Sequence, residues 1–136
     1  MDPLQALAAR LVGTWQAVLV SDEKESSYFR MLEDLRFVAV FPMVPPNPRH
    51  PYVDMRLWGS LESESLLRLA PKQTSEGWTR DLFFEGDILV LGYTEKQDDA
   101  QTEPRKKAWH CHRVTDEETP EWFEPEFQKA MARPWL

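Results

Sequence analysis

His110-Cys111-His112 is the tripeptide in this sequence whose residue types could hold a metal ion or move a proton. Side chains on a strand alternate between faces, so His110 and His112 share one face and Cys111 takes the other. Two imidazoles at that spacing can share a cation once a third ligand arrives from a neighbouring strand, and His50, Asp54 and Asp81 are the candidates. The same pair could act as acid or base in a cavity enzyme. The plainer reading is two surface histidines, because zinc sites normally declare three or four ligands. Cys111 would share its face with Trp109 and Arg113 and reads as a buried, inert thiol. Glu62 and Glu64 have same-face spacing for acid–base work, although solvated surface charge explains them as well. There is no glycine-rich phosphate loop, serine nucleophile elbow or metalloprotease helix. The balance is against catalysis without excluding it, and no cofactor is called for.

A second set of residues suits binding without turnover. Phe37, Phe41, Trp58, Trp78, Phe84, Tyr93 and Trp109 are spread over several strand-like runs. If their faces agree, they would line a cavity for a flat or aliphatic ligand. Arg56 and Arg80 occupy strand positions, and an inward arginine could pair with a ligand carboxylate. Outward placement of either is the more ordinary case.

The elements that must position these residues follow from the rest of the chain. Its 136 residues suit one domain, 1–136, with a core of about 13–114 and a tail of 115–136. Asp2 can cap a helix with Pro3 at its first position, and Leu4, Leu7, Ala8 and Leu11 recur at helical spacing before Gly13. From Trp15 the period changes to alternation, with Trp15, Ala17 and Leu19 on one face. Ser21 to Ser27 is polar and reads as a loop. Leu35 to Phe41 is the clearest strand, with Leu35, Phe37, Ala39 and Phe41 inward. Prolines 42, 45, 46, 48 and 51 then enforce a stiff loop. Further strands are expected around Val53 to Trp58, Leu66 to Leu69, Trp78 to Phe84, Ile88 to Tyr93 and Lys106 to Val114, with Glu85-Gly86-Asp87 as a tight hairpin turn. Gly59 marks a possible bend. The tail carries Phe127, Ala130 and Met131 as one helical stripe, with Trp122, Phe123 and Trp135 beside it. It is expected to pack on the outside of the barrel or to join a second copy in a homodimer.

The pattern is all-β: an antiparallel up-and-down barrel of seven or eight strands with a short N-terminal helix and a C-terminal helical tail. Composition sets further limits. With 23 acidic against 16 basic side chains the net charge is −7, which argues against nucleic acid or an anionic membrane as partner. One cysteine excludes an intrachain disulfide. The first residues have no basic n-region or long apolar run, so no secretory signal is read and a cytoplasmic location is expected.

Leu11-Val12-Gly13-Thr14-Trp15 after a short helix, the strand meander, the Phe84 to Leu89 hairpin and a last strand ending His112-Arg113-Val114 together resemble the calycin superfamily of lipocalins and fatty-acid-binding proteins. The resemblance implies that Trp15 packs beneath Arg113 and that their cation–π contact ties the barrel shut. It also implies non-catalytic binding of a small apolar or amphipathic ligand inside the barrel. Two rivals remain open. One is a protein-interaction module that uses the proline loop and aromatic tail. The other is a cavity enzyme or metal site at His110 and His112.

Overall fold

Asp2 caps the first helix, α1 (Pro3–Leu11), by accepting the Leu4 N–H at 3.0 Å, and Pro3 occupies a first-turn position that has no intrahelical donor to lose. The computed structural model describes residues 2–19, 22–43, 45–95 and 105–135, and for 22–26, 93–95 and 105–106 the backbone alone. Eight strands follow α1: β1 (Gly13–Leu19), β2 (Asp22–Met31), β3 (Phe37–Pro42), β4 (Tyr52–Ser63), β5 (Leu66–Ala70), β6 (Trp78–Glu85), β7 (Ile88–Glu95) and β8 (Arg105–Arg113). Each pairs antiparallel with the next, and β1 pairs with β8, so the sheet closes into the expected up-and-down barrel. A second helix, α2 (Phe123–Ala132), ends the fold. No helix among the described residues is long and apolar enough to cross a membrane.

Two local expectations are corrected. Residues 22–27, read as a loop, belong to β2, which pairs with β1 from Gly13↔Met31 to Val18↔Ser26 and again at Leu19↔Asp22 after a bulge. Closure of the barrel overrides the low strand propensity of this polar run, because the backbone groups of β1 need a partner there. Leu35 is not the first residue of a strand. It lies in the β2–β3 turn with φ 66° and donates its N–H to the Leu32 carbonyl at 2.8 Å. Its own carbonyl sits against Gly59, where a β-carbon would collide with it, so that glycine serves a close backbone approach.

The β6–β7 turn matches its expectation: Glu85 pairs with Ile88 around Gly86-Asp87, and Gly86 supplies a φ of 61°. Alternation sets the inside of the barrel. Trp15, Ala17, Phe29, Met31, Phe37, Ala39, Leu57, Leu67, Leu69, Leu82, Leu89, Leu91 and Cys111 form one buried cluster that Leu11 of α1 also joins. The outer face of β3 is buried too. Val38 and Val40 sit under Phe123, Phe127 and Ala130 of α2. The apolar stripe of the tail is therefore occupied within its own chain, on the barrel's outside.

Polar groups fix that docking. Arg30 pairs with Glu124 at 2.8 Å, donates to the Thr14 hydroxyl at 2.8 Å and lies over the Phe127 ring at 4.3 Å. The hydrogen bond from Arg30, then that from Gln128, holds the Glu124 carboxyl below its ordinary value. Arg133 pairs with Asp54.

Candidate functional site

The two ends of the barrel differ. At the end under α1, the Arg113 guanidinium stacks over Trp15 with its carbon 4.3 Å from the ring centroid, so the expected contact is present. Arg113 also donates to the carbonyls of Val12, at 2.6 Å, and Arg10. The Trp15 indole N–H donates to the Leu11 carbonyl at 3.0 Å. These bonds satisfy carbonyls at the end of α1 and fasten the helix across the barrel floor. Gly13, with φ 138°, leaves room for the guanidinium, which a β-carbon would strike.

At the opposite end the inner face meets solvent. The rows that bury Ala39 and Leu57 on β3 and β4 also carry Phe41, Val53 and Met55 toward the mouth. Met55 is 40% exposed although its row points inward. On β6 the row that buries Leu82 continues through Arg80 to Trp78, which is 36% exposed. On β8 the row of Cys111 continues through the partly buried Trp109 to Lys107. The short β5 accounts for part of this opening. It pairs with β4 only from Trp58 to Ser63, so residues 52–57 have no ladder partner on that side among the described residues. The mouth thus combines apolar walls with Arg80 and Lys107. Arg80 lies 5.7 Å from the Trp78 centroid and donates to the Thr79 carbonyl at 2.9 Å.

The candidate ligand residues separate accordingly. Phe41, Trp78, Arg80 and Trp109 lie on the inward rows in the mouth half. Tyr93 lies on the inward row of β7 opposite Lys107, and its side chain is outside the described residues. Phe37 is a core residue, its ring 4.8 Å from that of Phe29. Phe84 lies at the floor, 6.2 Å from Trp15 and beneath the Arg10 guanidinium at 3.7 Å. Arg56 and Trp58 are corrected as interior residues. Leu57 takes the inner face, so both neighbours point outward. Arg56 donates to the carbonyls of Ala130, Arg133 and Pro134, and Trp58 packs edge-on against Trp135 at 5.5 Å. They hold the tail rather than face the barrel interior. Met55, Val53 and Lys107 were missed. Alternation placed Val53 and Met55 on one face with Leu57 but did not say which face of β4 turns inward.

His110 and His112 point to the outer face, opposite Val90 and Gln16 respectively. Among the described residues no group of three or more histidine, cysteine, aspartate or glutamate side chains is placed to hold a metal ion. Cys111 is fully buried, and desolvation pushes its thiol up to about 12, so it is not a nucleophile at neutral pH. Compared with known proteins, the chain matches no family model, no curated protein and no solved structure.

Proposed function

We propose that this protein binds a small apolar or amphipathic ligand in the mouth half of a lipocalin-like barrel, without chemical turnover. The observation that carries the reading is the exposure of Met55 and Trp78 on inward-facing rows, set against the opposite end, where α1 covers the core. Apolar surface held open to water inside a closed sheet gains free energy when a ligand covers it, at about 25 cal/mol per Å². Arg80 and Lys107 on the same inner face favour an anionic head group, while Phe41, Trp78 and Trp109 would cover an apolar body. The contact of Arg113 with Trp15 supports the calycin likeness at the level of architecture.

Titration with anilinonaphthalene sulfonate, an amphipathic anion, tests the reading. Saturable binding at one site per chain is expected. Trp78→Ala together with Met55→Asp is expected to weaken it by roughly tenfold, a change of about 1.4 kcal/mol. Phe83→Ser, on the outer face, is expected to leave it unchanged. Binding that never saturates, or that ignores the mouth substitutions, rules the mouth out as the site.

A further inference from the structure

We propose that the cleft on the floor of the barrel, at the end opposite the mouth, binds a phosphate-bearing anion between Arg10 and Arg113. The cleft measures about 390 Å³ and is lined by these two arginines together with Trp15, Phe84, Asp87, Ile88 and His112. Its two guanidinium groups lie over adjoining aromatic rings, Arg10 over Phe84 at 3.7 Å and Arg113 over Trp15 at 4.3 Å. The two rings are 6.2 Å apart. Two positive charges thus line one cleft.

Among the described residues Arg30, Arg36, Arg68 and Arg133 each form an ion pair with a carboxylate, whereas Arg10 and Arg113 form none. This happens in a chain whose net charge is −7, where carboxylates outnumber cations. Both groups are nonetheless fixed in place. Arg10 donates to the Gly86 carbonyl at 2.7 Å, and Arg113 donates to the carbonyls of Val12 and Arg10. A guanidinium offers five N–H groups in a planar fork, so donors remain on both for an oxyanion. A phosphate monoester near neutral pH carries between one and two negative charges and three acceptor oxygens, which suits a cleft lined by two such forks. His112 and Asp87 also line the cleft, and the Asp87 carboxylate opposes an anion there. The cleft volume exceeds that of the phosphate group alone, leaving room for the group it esterifies.

The test follows inorganic phosphate by NMR through the Arg10 side-chain and Trp15 indole N–H signals, with acetate and chloride as controls. Saturable shifts with phosphate are expected, weakened about tenfold in Arg10→Gln and tightened in Asp87→Asn. The second variant removes a repulsive charge and does not disturb the barrel closure. Trp78→Ala, in the mouth, is expected to leave phosphate binding unchanged, so this site and the mouth stand or fall separately. Shifts that do not saturate, that chloride reproduces, or that ignore both Arg10→Gln and Asp87→Asn overturn the proposal. Acetate binding as tight as phosphate overturns the choice of phosphate in favour of a carboxylate.

Discussion

Cys111 lies on the inner face of β8 with Ala17 on one side and Leu89 on the other, fully shielded from water. Its thiolate would have to form in an apolar interior, which is why desolvation lifts its pKa from 9.0 to about 12. Reaction with a disulfide reagent at pH 8 is expected to be on the order of a thousandfold slower in the native protein than in urea. Equal rates in the two states would mean that the thiol is accessible. The same shift sets a pH dependence. The neutral thiol is favoured by folding, so its contribution to stability is complete below pH 9.0 and is lost as pH rises from there to about 12. Shielding of Cys111 was legible in the sequence because its strand neighbours on the same face, Trp109 and Arg113, have long side chains. The joint role of Arg10 and Arg113 was not legible. They are 103 residues apart and meet only when β8 closes on β1.

At the scale of elements, α2 binds to β3 because β3 is apolar on both faces. Phe127 is its central contact, covered on one side by Arg30 and stacked at 6.0 Å on Phe123. Phe127→Ala removes a buried ring from a site that cannot collapse against a rigid sheet, and is expected to cost about 3–5 kcal/mol. Urea unfolding followed by tryptophan fluorescence measures this loss. A cost below about 1 kcal/mol would mean that α2 contributes little to the stability of the barrel. The tail's helical stripe could be read from the sequence, as could β3. The side on which β4 places its residues could not. Val53, Met55 and Leu57 alternate with Asp54, Arg56 and Trp58, and periodicity alone does not say which set faces in. The choice is made by packing: Leu57 joins the interior cluster, while Arg56 and Trp58 meet the tail. β2 was missed for a related reason. Its pairing comes from β1 and β3 rather than from its own polar residues.

For the molecule as a whole, one closed sheet carries two unlike ends, and their stabilities should differ. At the floor, α1 covers the opening, Arg113 and Trp15 join helix to sheet, and Leu82, Leu89 and Cys111 are fully buried. Opening an amide there exposes much of the core, so exchange with solvent should require global unfolding. At the mouth, β5 ends at Ala70, and Trp78 and Met55 on the inward rows are 36% and 40% exposed. Amides at this end can open with little loss of apolar burial. Native-state hydrogen exchange is therefore expected to show a gradient along single strands: within β6, protection rises from Trp78 toward Leu82, and within β4, from Val53 toward Leu57. A bound ligand should slow exchange at the mouth and leave the floor amides almost unchanged, because those already exchange only by global unfolding. Equal protection at Trp78 and Leu82 without ligand would show that the mouth is packed as tightly as the floor. The exposed inner face on which the proposed ligand site depends would then have no counterpart in solution.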